Sequence, residues 1–186
     1  MRLFVTLEIH NFTQNEIDEK SFQKTAEVAF KIINIKENTE ISLAIVGDGR
    51  IRKLNKMYRG KNRVTDVLSF GHKPASPAGG SVIPYLAKAF PRLKKGQDWP
   101  AKGGSASGGN FISPPDGIQR LGEIIICYPR AKKQAKRAGH SLGKELAILL
   151  IHGILHLSGY DHEKSEQDAA KMEMMEQRIL NKLRQN

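Results

Sequence analysis

The sequence predicts an α+β fold of two layers, in which a four-stranded mixed sheet packs with about five helices. Three observations support this prediction. The chain has 186 residues, a usual length for one domain. Four short segments have the apolar pattern of β-strands, and helical periodicity dominates the last third of the sequence. Strands that are followed by gathered helices are typical of a sheet with a helical layer.

Four segments are predicted as strands. In the first, apolar residues occupy positions 3, 5, 7 and 9, and this alternation indicates a half-buried strand. Segments 41–46, 66–70 and 121–128 are the second, third and fourth predicted strands.

Five segments are predicted as helices, and capping residues mark most of their ends. Thr13 and Glu16 form a capping box before a helix whose apolar residues extend to position 33. A short basic helix begins near Asp48. Pro129 suits the start of the third helix and Gly139 its end. Two further helices begin near positions 141 and 165.

The segment from about 71 to 120 differs from the rest of the chain. It contains 9 of the 17 glycines and 7 of the 8 prolines, which disfavour both helices and strands. A connection of this length and composition is unusual inside a domain. We therefore predict a single domain, 1–186, that is interrupted by a Gly/Pro-rich insertion at about 71–120.

The charge balance predicts an anionic partner. Lysine and arginine number 30 against 19 acidic residues, giving a net charge of +11. Nucleic acid is the first candidate and an acidic membrane surface the second. Two runs of cations, at 50–63 and 130–144, favour a phosphate-binding surface over ordinary solvated helix faces. No segment approaches the roughly 18 apolar residues of a membrane span. We expect RNA as the partner and no membrane.

A cluster of histidines lies near the C-terminus. His152 and His156 are four residues apart and so share one face of a helix. Gly159 allows a left-handed turn that ends this helix and can return His162 toward the same point. Three histidines leave one coordination position open, which is the design of a catalytic zinc site. We expect one zinc ion per chain; three ordinary surface histidines are the alternative.

The same spacing occurs in metzincin proteases, which carry a general-base glutamate after the first histidine. Here that position is Gly153. A glycine inside a helix costs about 1 kcal/mol against alanine, and the simplest reason for it is room for a substrate or a neighbouring backbone. Glu145 lies two turns before His152. It is interpreted as a hydrogen-bond partner of a metal ligand or as a substitute base, or else as a helix-surface carboxylate.

Four motifs resemble the YbeY family of metal-dependent endoribonucleases, the rRNA maturation factors. They are H-G-I-L-H-L-S-G-Y-D-H at 152–162, Y-R-G-K-N-R-V-T-D-V-L-S-F at 58–70, L-G-E-I-I-I at 121–126 and E-L at 145–146. The resemblance covers 1–70 and 121–186. Two departures are the long segment 71–120 and Val64, where family members commonly have proline.

The resemblance implies cleavage of single-stranded RNA, maturation of the 3′ end of small-subunit rRNA and ribosome quality control. It implies His152, His156 and His162 as zinc ligands and Arg59, expected in a loop before the third strand, as a functionally important arginine. We expect rRNA and ribosomal or small-subunit proteins as partners, and a cytoplasmic location. Two alternatives remain: a metallopeptidase-like hydrolase, and a non-catalytic ribosome assembly factor with a structural metal.

Overall fold

A computed structural model describes residues 5–35, 38–71 and 118–185. In chain order the elements are β1 (Val5–Asn11), α1 (Glu19–Ile33), β2 (Thr39–Val46), α2 (Asp48–Arg59), β3 (Val67–Gly71), β4 (Gln119–Cys127), α3 (Tyr128–Ala138), α4 (Leu142–Leu157) and α5 (Glu166–Arg184). Most of the predicted insertion, residues 72–117, lies outside the described residues. Within the described ranges, no helix is both long and apolar enough to cross a membrane.

The four strands form one mixed sheet in the order β1-β2-β4-β3. β1 pairs with β2 and β2 with β4 in parallel, whereas β3 runs antiparallel to β4 at the edge. The predicted α+β class, with a four-stranded mixed sheet and five helices, is thereby confirmed.

Side chains of the central strands are buried on both faces of the sheet. Ile124 and Ile126 point into the main core with α1, α4 and α5, while Ile125 and Cys127 pack with α2 on the opposite face. This follows from the two-residue period of a strand. Strands covered on both faces read as continuous apolar runs, and 43–46 and 124–127 are such runs.

A bulge in β4 lets β3 approach closely. Glu40 pairs with Arg120 but Ile41 pairs with Gly122, so Leu121 is the extra residue. Gly122 has φ +146°, and a Cβ at this position would lie 2.1 Å from the carbonyl oxygen of Phe70. Only glycine fits there, which explains the glycine of the 121–126 motif.

The first helix starts later than its sequence pattern indicated. Asp18 is its N-cap and accepts a hydrogen bond from the backbone N–H of Ser21 at 3.1 Å. Thr13 instead donates to the side chain of Asn11 within the preceding turn. The capping-box prediction was therefore wrong, because a side chain close in sequence competed for the Thr13 hydroxyl. Gly139, at the end of α3, and Ser141, the N-cap of α4, lie where they were predicted.

Candidate metal centre and cleft

The histidines lie on α4, the most deeply packed helix. Ser141 caps its N-terminus, and the backbone N–H of Lys144 donates to the serine hydroxyl at 3.2 Å. Helices α1, α3 and α5 and strands β3 and β4 all contact it, so it is apolar around most of its circumference. The packing of α4 against these elements therefore fixes the position of any side chain it carries.

The three predicted histidines converge on one point. Nε2 of His152 is 3.1 Å from Nε2 of His156, and one nitrogen from each of the three rings lies within 4.8 Å of the others. Gly159 has φ +95° and turns the chain so that His162 meets the two helical histidines. The structure thus brings together the three side chains that spacing alone had linked.

This geometry fits a zinc ion. Two nitrogens that bind one tetrahedral zinc at about 2.0–2.1 Å are about 3.4 Å apart, close to the 3.1 Å between His152 and His156. All three donors are imidazole nitrogens, which zinc readily accepts. Burial, together with the neighbouring rings of His152 and His162, lowers the pKa of His156. A neutral imidazole is the form that binds metals.

A carboxylate that sequence reasoning missed contacts the first histidine. Oε1 of Glu176, on α5, is 2.8 Å from Nδ1 of His152. Glu176 lies on a different helix, 24 residues from His152, so no local spacing could reveal the pair. Its position in the last helix follows only from how α5 packs beside α4.

The histidines form one wall of a cleft of about 440 Å³. Strand β3 lies along the cleft, and Arg59 and Tyr58 from the end of α2 line the other side. Arg59 is exposed and is the last residue of α2, whereas the sequence had placed it in a loop. The helix continues through Tyr58 to Arg59 because Gly60, with φ +68°, ends it.

Asp66, one of the residues that line the cleft, connects the start of β3 to α3. Its carboxylate accepts hydrogen bonds from Gln134 at 2.8 Å, from the backbone N–H of Val67 at 3.0 Å and from the Thr65 hydroxyl at 3.1 Å. Burial alone would raise the pKa of Asp66, but these donors hold it below its ordinary value. Asp66 is therefore a charged anchor at the start of β3.

Glu145 does not line the cleft. It is buried on α4, and its carboxylate lies 3.1 Å from Nε2 of His140. Burial raises its pKa, with a smaller contribution in the same direction from Asp66, while His140 opposes the shift. One of the roles expected for Glu145 was to form a hydrogen bond with a cleft histidine. In the structure Glu176 makes that contact, with His152.

Gly153 makes room for the sheet. A Cβ on this residue would lie 2.8–3.0 Å from three side-chain atoms of Ile124 on β4. Ile124 is fully buried in a closely packed core, so any shift of its side chain would disturb its neighbours. Gly153 therefore allows α4 to pack closely on β4. The group that needs the space is the side chain of Ile124, whereas the sequence suggested a substrate or a neighbouring backbone.

The two cation runs lie on neighbouring helices. α2 carries most of the first run and α3 most of the second. Arg63, in the segment after α2, and Arg130, on α3, line one shallow cavity. That cavity shares Thr65 and Asp66 with the histidine cleft. A basic surface therefore leads directly into the candidate site.

Comparison with known proteins gives a consistent result. The family model described as Endoribonuclease YbeY matches residues 8–184. A relative named Endoribonuclease YbeY from Halalkalibacterium halodurans is 33% identical over 188 residues, covering 97% of this chain and 95% of the relative. Proteins of the same name from Dehalococcoides mccartyi and Moorella thermoacetica are 35% and 40% identical, over 82% and 76% of this chain and 80% and 70% of theirs.

The fold also has a counterpart among solved structures. The solution structure of TM1509 from Thermotoga maritima matches with a TM-score of 0.53 and 21% sequence identity. The match covers 96% of this chain and 89% of that one. At this identity the likeness concerns the fold alone.

Proposed function

The chain belongs to the YbeY family of endoribonucleases, and from this premise we propose that it is a zinc-dependent enzyme that cleaves single-stranded RNA. We infer that its substrate is rRNA and that it acts in maturation of the small-subunit 3′ end and in ribosome quality control. One observation carries the proposal: three imidazoles converge in a cleft that Arg59 also lines.

The histidines and Arg59, on different sides of the cleft, would contribute separately to catalysis. His152, His156 and His162 would hold the zinc, which when bound supplies Lewis acidity toward a phosphoryl oxygen or a water molecule. Arg59 faces the same space with a guanidinium that can donate two hydrogen bonds to a phosphate group. Cleavage of a phosphodiester develops negative charge on phosphate oxygens. Bound zinc and Arg59 would both stabilise that charge, from opposite sides of the cleft.

The remaining cleft residues orient the chain of nucleotides. Tyr58 packs edge-on against Phe70 at 5.4 Å, which places its phenol in the cleft wall. Asp66 holds the start of β3, which lines the cleft, against α3 and so restricts the motion of that strand. We assign Glu145 a supporting part through His140, because its carboxylate does not line the cleft.

The exposed cations supply affinity for RNA. Arg52, Lys53 and Lys56 on α2 are exposed, as are Lys132 and Lys136 on α3. Neutralising phosphates with such side chains releases counterions and makes binding strongly salt-dependent. Ribosomal or small-subunit proteins as partners, and the cytoplasm as location, are part of the same proposal.

A cleavage assay tests this function. The purified chain is incubated with a labelled single-stranded rRNA fragment, with the same fragment annealed to its complement, and with casein. We expect cleavage of the single strand only, its loss with a chelator and its return when zinc is added. Binding of RNA without cleavage by the zinc-loaded chain would favour a non-catalytic assembly factor, and digestion of casein would favour a peptidase.

A further inference from the structure

The hydrogen bond between Glu176 and His152 determines which nitrogen of the histidine faces the cleft. Oε1 of Glu176 is 2.8 Å from Nδ1 of His152. An ionised carboxylate only accepts hydrogen bonds, so the proton of this bond lies on Nδ1. In the neutral ring, Nε2 then carries a free lone pair, and Nε2 is the atom that lies 3.1 Å from His156.

We propose that Glu176 is a positioning residue of the metal centre: it holds His152 as the tautomer protonated on Nδ1 and fixes the orientation of its ring. This inference rests on the proposed zinc function, since the zinc is what the Nε2 lone pair would meet. Partners of this kind raise the basicity of a ligating imidazole and reduce the entropy lost when the metal binds.

The surroundings of Glu176 make it suitable for this task. The side chains of His152 and Glu176 are only 29% and 21% exposed, so water competes weakly for their hydrogen bond. Met172, Met175 and Ile179 are buried on the same helix and hold α5 against the core. A carboxylate on a docked helix holds its position better than one on a loop.

The three histidines are therefore held in different ways. The carboxylate of Glu176 holds His152. His156 instead has a hydrogen bond to the backbone of Tyr160. This bond raises the pKa of His156, but burial lowers that pKa by more. His162 is exposed and follows the turn after α4. Loss of Glu176 should thus loosen one defined ligand and leave the other two in place.

Zinc affinity of matched variants tests the proposal. Glu176→Ala removes the acceptor, Glu176→Gln keeps its size and one acceptor oxygen but not the charge, and Glu173→Gln removes an exposed charge from the same helix as a control. The Kd for zinc is measured by competition with a chromophoric chelator, and thermal melting confirms folding. We expect the Kd to rise by about 10–100-fold in Glu176→Ala, less in Glu176→Gln and not at all in Glu173→Gln.

A second readout needs no metal. Long-range ¹⁵N–¹H NMR of the metal-free protein reports which nitrogen of His152 is protonated. We expect the Nδ1–H form in the wild type and a mixture in Glu176→Ala. An unchanged tautomer of His152 in Glu176→Ala, or an unchanged zinc Kd in folded Glu176→Ala, would overturn the proposal. If Glu176→Ala does not fold, a zinc Kd for Glu176→Gln equal to that of Glu173→Gln overturns it; absence of zinc binding by the wild type refutes the proposed function instead.

Discussion

The two walls of the cleft are built on different physical principles. Two of the three histidines of the histidine wall, His152 and His156, belong to a helix buried among three others, and His152 also contacts Glu176. The basic wall consists of Arg59, which lines the cleft, and of the exposed cations of α2 and α3 that lie outside the cleft. Precise placement of ligands requires a rigid core, whereas attraction of a polyanion requires only charge near the surface.

This difference predicts how each wall responds to change. A substitution in the histidine wall alters metal binding and the packing around it, and salt has little effect on buried groups. A substitution in the basic wall alters RNA affinity in a salt-dependent manner and leaves the fold intact, because exposed charges are screened within about 8–10 Å at physiological ionic strength. The predictions that follow test this contrast.

The largest effect is expected for His156→Ala. Removing one of three ligands abolishes the contribution of the metal to charge stabilisation, which is worth several kcal/mol, so cleavage should fall by roughly 10³-fold or more. RNA binding and folding should persist, since the basic wall is untouched. Single-turnover cleavage and fluorescence anisotropy measure the two quantities; a parallel loss of both would show that the walls are not independent.

Arg59→Glu comes next and should act on the other wall. Reversal of an exposed charge beside the cleft should lower RNA affinity or cleavage rate by about 10–100-fold, corresponding to the 1.5–3 kcal/mol of hydrogen bonds to a charged group. Its melting temperature should fall only slightly, because the cost is the loss of one exposed cation from the last turn of α2. Lys31→Glu, an equal charge change at the exposed end of α1, is the control. Unchanged cleavage in Arg59→Glu would remove Arg59 from the mechanism.

Gly153→Ala tests the rigidity of the histidine wall. The added methyl group would meet Ile124 at 2.8–3.0 Å, and overpacking of this kind costs about 1–3 kcal/mol, more than alanine regains in helix propensity. Gly143→Ala, on the same helix with nothing within 4 Å of its Cβ, should be neutral or stabilising. Urea unfolding of both variants measures the difference; equal stabilities would show that α4 can shift on the sheet.

The smallest effect concerns the pH dependence of the Asp66 anchor. Its pKa lies below the ordinary 3.8, so the folded state binds the proton more weakly than the unfolded state. Stability from Asp66 should therefore be complete above the ordinary pKa and be lost as pH falls through the lowered folded value. Asp66→Asn should lose about 1 kcal/mol at pH 7 and nothing well below pH 3.8. Denaturant unfolding at both pH values measures this, and a pH-independent difference would contradict it.

Sequence patterns predicted most of the fold and the centre of the site. The histidine spacing correctly brought three histidines together, because His152 and His156 share a helix and Gly159 governs the turn before His162, both local features. Their role as metal ligands stays a prediction. Glu176 was missed because its contact joins two helices. Glu145 lies on the same helix as the histidines, but its carboxylate is 3.1 Å from Nε2 of His140. Its part in the site stays a prediction.

Two differences have local causes that the apolar pattern does not show. The start of α1 depends on the cap Asp18 and on a competing turn at Asn11, and Arg59 lies inside α2 because Gly60 ends that helix. The role of Gly153 could not be read from spacing, since Ile124 reaches it from a strand 29 residues earlier. The interior of the predicted 71–120 insertion lies outside the described residues, so its part in the domain stays a prediction.

We propose that three histidines of one chain hold one metal ion. Elemental analysis of the wild type and of His156→Ala, each offered zinc and then freed of excess, tests this binding. We expect about one zinc per wild-type chain and almost none in the variant. No zinc in either protein, or equal zinc in both, would contradict it.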